Sequence, residues 1–359
     1  MALGRIAFLG SGETSLAGGR IFETLARLIH DSSTGSPRPD GLSGRPRPLR
    51  IAILETPAGF ELNASLVANR VADFLNSRLG SYKPVIDLIP ARKLGTEFSP
   101  DNPEILKPLM QANLIFMGPG SPTYLARQLH GTLAWNIIRA RHRLGATLVF
   151  SSAATISVGA FVLPVYEIYK VGEDVHFKEG LNLFADFGMD VSFIPHWNNA
   201  EGGIDLDTSR CFVGLERFEQ WHKLLPAENI LVGLDEHSGI ILDCEKRTCE
   251  VHGVSSVTVL KNKNTEIHPA GASFPLSELG NCRVPVPLEN GIRPEAWEMI
   301  CNASSEDNVP SEEVLSLLEQ RKQARARKDF VESDHLRDEI ALLGWAVQDS
   351  KEGQVLVKK

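Results

Sequence analysis

The sequence predicts an α/β protein: three layers, α/β/α, built on a mainly parallel sheet, with a small helical hairpin added at the C-terminus. Three observations carry this reading. From Ile6 onward, short apolar runs alternate with longer stretches of helical periodicity. Those runs are apolar at consecutive positions, as expected of strands covered on both faces, and do not alternate as half-solvated strands do. Beyond about residue 300, a polar, Pro-containing segment (302–310) leads into a charged stretch with two more helical patterns.

With 359 residues, 43% of them hydrophobic, the chain can bury a large core and is longer than one ordinary domain needs. A net charge of −8 leaves no Lys and Arg excess to neutralise phosphates over a broad surface, which excludes a general nucleic-acid binder. The five cysteines, Cys211, Cys244, Cys249, Cys282 and Cys301, lack the paired spacing of a zinc site and read as reduced structural thiols. The apolar run near the N-terminus is too short for a signal peptide, and no segment offers the 18 apolar residues of a membrane span. The expectation is a soluble, cytoplasmic protein with no cofactor, no metal and no membrane partner.

In order, Ile6 to Leu9 reads as a strand that enters a glycine loop, Gly10-Ser11-Gly12-Glu13-Thr14, before a helix around Arg20 to Ile29. The third glycine of a dinucleotide fingerprint would fall at Ser15, so the loop reads as a tight turn at the edge of a pocket. Asp31 to Arg50, rich in Ser, Gly, Pro and Arg, is expected to be a mobile surface insertion, with Arg38, Arg45, Arg47 and Arg50 solvated. Strands are predicted at 51–54, 84–89, 114–117 and 147–150, and helices near 63–77, 103–111, 123–129 and 133–142. A strand at 191–194, a helix near 209–225, a strand at 230–232 and a closing antiparallel region over 239–267 follow.

In parallel sheets of this kind, ligands bind beyond the carboxyl ends of the strands. There the apolar run Leu148-Val149-Phe150 stops at Ser151-Ser152, and small residues take over. Such a corner lifts the Ser152 hydroxyl clear of the sheet and leaves the Ala153 amide free to bind an oxyanion. A serine there can equally be a helix cap. The loop Gly118-Pro119-Gly120-Ser121-Pro122 offers the Gly120 amide as a second oxyanion donor, although a structural turn would look the same. Two further strand ends carry His196, followed by Trp197-Asn198-Asn199, and Asp235-Glu236-His237. Ser152, His196 and either Asp235 or Glu236 supply the nucleophile, base and orienting acid of a triad.

Taken in order, these loops resemble the serine peptidase family of cyanophycinase and dipeptidase E, over residues 1 to about 275. The resemblance implies the class I glutamine-amidotransferase-like fold, with Ser152 as nucleophile, His196 as base, Glu236 as acid, and the Gly120 and Ala153 amides as oxyanion hole. It also implies cleavage of aspartyl peptides. Glu13, Asn198, Asn199 and Arg210 are the residues that could frame the substrate. Two positions depart from the family pattern: Phe150 and Ala154 stand where glycines are usual. The segment Pro164 to Asp174 is extra to the minimal family and could reshape specificity.

Residues 276–310 read as a linker and 311–359 as a tail of two amphipathic helices, around 317–330 and 333–340, followed by a hairpin. This tail resembles the C-terminal tail of cysteinyl-tRNA synthetases. It carries nine Lys or Arg against ten Asp or Glu, so a solvated helix face is favoured over tRNA contact despite the cluster Arg321 to Lys328. The leading function is a serine hydrolase with a small peptide as partner, and a homodimer is compatible with it. The rivals are a non-catalytic binding protein that keeps the fold, and an RNA-associated protein acting through its tail.

Overall fold

The computed structural model describes residues 3–34, 48–262, 264–285, 291–306, 312–350 and 353–358. The chain divides into a main unit, up to Glu298, and a C-terminal unit from Met299.

The main unit opens with β1 (Ile6–Leu9), α1 (Leu16–Thr34), β2 (Arg50–Leu54), α2 (Ala64–Arg78), β3 (Val85–Ile89), α3 (Pro103–Leu106), β4 (Leu114–Met117), α4 (Pro122–Leu129), α5 (Leu133–Arg143), β5 (Thr147–Ser151) and α6 (Ala153–Ser157). β1 to β5 pair in parallel, and β10 (Ser238–Asp243) closes on β1 in the antiparallel sense. With β11 (Thr248–Gly253) and β14 (Ser273–Pro275), the sheet has eight strands in the order β14-β11-β10-β1-β5-β4-β2-β3. β1, β4 and β5 are buried at every position, which is why their runs show no alternation. Helix starts follow local chemistry. Ser121 and Thr132 cap α4 and α5 by accepting from Tyr124 N and Trp135 N, and Pro122 opens α4, where its missing N–H costs nothing.

The strand ends carrying His196 and Glu236 do not belong to this sheet. β8 (Val191–Ile194) and β9 (Ile230–Leu234) pair in parallel within a second, four-stranded sheet, with β12 (Ser256–Lys261) and β13 (Asn264–Pro269). Between α6 and β8, two short strands, β6 (Phe161–Val162) and β7 (Lys178–Glu179), pair with each other. Aromatic packing joins the sheets: Phe8 of β1 stacks on Phe193 of β8 with ring centroids 4.0 Å apart, and Phe150 and Phe184 pack against Phe8. This contact brings the end of β8 to the end of β5.

Several element bounds differ from the sequence reading. The insertion expected over 31–50 loses both ends, because α1 continues to Thr34 and β2 begins at Arg50; Arg38, Arg45 and Arg47 lie outside the described residues. The helix expected over 209–225 is confined to α7 (Leu215–His222), because Arg210, Cys211 and Phe212 adopt positive φ and cannot be helical. The stretch 276–310 holds α8 (Pro294–Glu306). Its first part belongs to the main unit: Leu276 and Leu279 are buried, and Arg293 N donates to the Asn136 side chain.

The C-terminal unit contains α9 (Glu312–Ala326), α10 (Phe330–Leu342) and the hairpin β15 (Trp345–Ser350) with β16 (Gly353–Lys358). Val314, Ile340 and Trp345 form its core. Arg321 is buried there too, forked onto Asp349, which Arg325 also reaches. Among the described residues, no helix is long and apolar enough to cross a membrane.

Candidate active site

Ser152 stands between β5 and α6 with φ 51° and ψ −115°, a conformation that non-glycine residues rarely adopt and that costs about 1–3 kcal/mol. The corner forms despite Phe150 and Ala154. Phe150 faces inward, its ring 5.4 Å from that of Phe8, and the Ala154 methyl is buried while its N–H donates to Gly118 O. Thr155 Oγ1 donates to Leu9 O, which fastens the first turn of α6 to β1.

Ser152 Oγ lies 3.0 Å from His196 Nε2, and His196 Nδ1 lies 2.9 Å from Glu236 Oε1. A carboxylate only accepts, so Nδ1 carries the hydrogen and Nε2 presents its lone pair to the serine hydroxyl. His196 also has a positive φ, 49°, and its N–H donates to Gly10 O. A Cβ at Gly10 would lie 2.2 Å from Asp235 O, so the glycine loop after β1 is required where the chain meets the loop after β9.

The two neighbouring carboxylates face different ways. Glu236 meets His196, whereas Asp235 Oδ2 accepts from Ser255 Oγ, Ser256 N and Ser256 Oγ, all on the segment entering β12. Burial disfavours the charge on Glu236, but hydrogen bonds from His196 and Asn199 outweigh it and hold the carboxyl below its usual range.

The residues expected to frame a substrate make contacts around the carboxylate, the strand end and Trp197. Asn199 Nδ2 donates to Glu236 Oε1, and Asn198 Oδ1 accepts from Glu236 N, so both brace the carboxylate. Glu13 accepts from Ser151 Oγ, one residue before Ser152. Arg210 lays its guanidinium 3.8 Å over the Trp197 ring and donates to Trp197 O. Gly120, with φ 148°, comes so close to Pro57 that a Cβ would sit 1.9 Å from its carbonyl oxygen. Its loop adjoins the elbow through Ala154 N to Gly118 O and Ser157 Oγ to Pro122 O. The Ala153 amide heads α6, where no carbonyl of its own helix can reach it.

Phe212 was not legible in the sequence: its ring packs 5.3 Å from the His196 ring, and Cys211 N donates to His196 O. Only its aromatic character could have drawn attention, and that is shared with fifteen other phenylalanines. Among the described residues, Glu266, His268 and Glu278 bring three potential metal-ligand atoms within 4.8 Å of one another, and His268 Nε2 lies 2.9 Å from Glu278 Oε2.

The structure of a peptidase from an acI-B1 Actinobacterium superposes with a TM-score of 0.58 and 22% identity, covering 76% of this chain and 97% of that one. At that identity the likeness is one of fold. Residues 310–355 match the family model of the cysteinyl-tRNA ligase anticodon binding domain. The cysteine–tRNA ligase of Afipia carboxidovorans is 46% identical over 59 residues, 16% of this chain and 12% of the relative. That of Parvibaculum lavamentivorans is 35% identical over 94 residues, 26% of this chain and 19% of the relative. The chain thus spans less than a fifth of the length of either ligase.

Proposed function

We propose that the main unit is a serine hydrolase that cleaves a small peptide or amide through an acyl-enzyme. The observation that carries this is the continuous relay from a strained Ser152 through His196 to Glu236, with contacts of 3.0 and 2.9 Å. Ser152 Oγ attacks the carbonyl carbon as His196 Nε2 takes its proton, and Glu236 stabilises the resulting imidazolium. The Gly120 and Ala153 amides stabilise the oxyanion. Collapse expels the amine with the proton from His196. Water, deprotonated by His196, then releases the acid and restores Ser152. Asn198 and Asn199 act as positioning residues for Glu236.

A serine-directed fluorophosphonate tests the reading. The expected result is one covalent adduct, mapped to Ser152 by peptide mass and absent from Ser152→Ala. An unlabelled wild-type protein, under conditions where a control serine hydrolase reacts, would refute it.

For the C-terminal unit a second reading is contact with tRNA, supported by the family match over residues 310–355. Arg321 and Arg325 are tied to Asp349, which leaves less of the Arg321 to Lys328 cluster for phosphates. A gel shift with tRNA across a salt series tests it: binding that weakens steeply with salt supports contact, and no shift at low salt removes it.

A further inference from the structure

Against Phe212, whose ring packs on His196, lies a cavity of about 410 Å³, within the range of roughly 300–1,000 Å³ of small-molecule sites. Tyr166, Tyr169, Leu206 and Phe212 line it, together with Lys170 and Glu201. We infer that this cavity receives a large apolar or aromatic side chain of the substrate, so that the preferred substrate is a peptide or amide bearing such a residue. The inference rests on the hydrolase reading and adds the substrate class to it.

Phe212 forms a wall of the cavity and also packs on the ring of the proposed base, so one aromatic ring separates the cavity from the Ser152–His196 pair.

Arg210, Cys211 and Phe212 hold φ of 56°, 60° and 70° in succession, and a bulky aromatic in that region is a genuine outlier. Also lining the cavity, Tyr169 and Lys170 sit on a π-helical turn, Glu167–Val171, a form concentrated at functional sites. Two separate segments thus leave regular geometry, and both present an aromatic ring to the same space. The rings of Tyr169 and Phe212 are 6.1 Å apart.

Tyr166 and Tyr169 remain 36% and 38% exposed and Leu206 55%, apolar area that a bound side chain would cover. Lys170 and Glu201 oppose each other in sign, and the Lys170 ammonium lies 4.9 Å over the Tyr166 ring, so the cavity offers no net charge to select a carboxylate.

The test measures binding to the Ser152→Ala full chain, so that it does not depend on turnover. The ligands are N-acetylphenylalanine amide, N-acetylalanine amide and N-acetylaspartate amide, followed by protein-observed NMR. The phenylalanine amide is expected to bind roughly tenfold to a hundredfold more tightly than the alanine amide, by the burial of one ring. Tyr169→Ala should remove most of that margin and Tyr169→Phe should retain it, with thermal unfolding as the check that both variants fold. Tighter binding of the aspartate amide, equal binding of all three, or a margin unchanged in Tyr169→Ala would each overturn the inference. Fluorophosphonate labelling of the wild type separates the two ideas: a labelled enzyme that prefers aspartate refutes only the substrate class. An unlabelled protein that still prefers the phenylalanine amide refutes hydrolysis and leaves the subsite.

Discussion

In the main unit, Glu236 accepts hydrogen bonds from His196 and Asn199, and the histidine turns its other nitrogen to a serine hydroxyl. In the C-terminal unit, Asp349 receives Arg321 and Arg325, and the buried Arg321 is held in a two-pronged pair with it. Both carboxyls lie below their usual range, Glu236 through bonds that overcome burial and Asp349 chiefly through its bond from Arg321. The difference is where each network ends. One terminates at a serine hydroxyl on strained backbone; the other joins a helix to a hairpin. A cluster of charge along the sequence, as at Arg321 to Lys328, therefore says less about a site than three separated residues that strand ends bring together.

The sharpest way to break this contrast is Glu236→Gln. It should leave the fold intact and lower any hydrolysis by about 10⁴, because an amide cannot stabilise the imidazolium. Asp235→Asn should instead act on stability, weakening the bonds to Ser255 and Ser256 by about 1–3 kcal/mol in denaturant unfolding while sparing the rate. The reverse ranking would exchange the roles of the two carboxylates.

Next in size is Gly120→Ala. The added methyl would overlap Pro57 O and require a positive φ of a residue with a side chain, so a loss of about 3 kcal/mol or more is expected in thermal unfolding. A variant as stable as wild type would mean that the loop relaxes freely and is no rigid oxyanion donor.

In the C-terminal unit, Asp349→Ala leaves Arg321 buried without its partner. Removing one member of a buried pair costs about 3–5 kcal/mol, and the 43% exposure of Asp349 brings the expectation down to about 2 kcal/mol. Hydrogen exchange in α9 and β15 should rise while exchange around Ser152 stays unchanged; parallel changes in both would show that the units do not fold independently. Deleting residues 310–359 makes the same point from the other side, and the main unit is expected to keep its melting temperature.

The smallest effect is with pH. Asp349 has a folded-state pKa below its unfolded value, so its contribution is complete above the unfolded value and is lost as pH falls through the folded one. Protection of α9 and β15 should therefore decline at acid pH below the ordinary carboxylate range, and Asp349→Asn should abolish that dependence. A pH response that survives the substitution belongs to another group.

Much of the architecture was readable in the chain. β1, β2, β4 and β5 are buried runs without alternation, and Ser121, Pro122 and Thr132 mark helix starts by chemistry local to each residue. The end of α1 and the shortening of α7 were not readable. At α7, the left-handed run at 210–212 is imposed by what Cys211 and Phe212 touch, against a sequence that looks helical. The separation into two sheets was also hidden, since β8 and β9 carry the same apolar signature as strands of the first.

By itself, the sequence determined which side chains are chemically able to act: a serine at the end of an apolar strand, a histidine and a carboxylate pair at others, and a tail with its own helical pattern. Only the tertiary structure decided which of them meet. Asp235 and Glu236 differ by one methylene and one position. Ser255 and Ser256, arriving from a later strand, capture Asp235, while Asn198 and Asn199 brace Glu236 toward His196. Phe8 and Phe193, 185 residues apart, stack to bring two sheets together so that Ser152 and His196 lie 3.0 Å apart. Hydrogen-bond reach is short and directional, so a difference of a few ångströms between strand ends separates a relay from two unrelated polar residues, and local sequence carries no record of that distance.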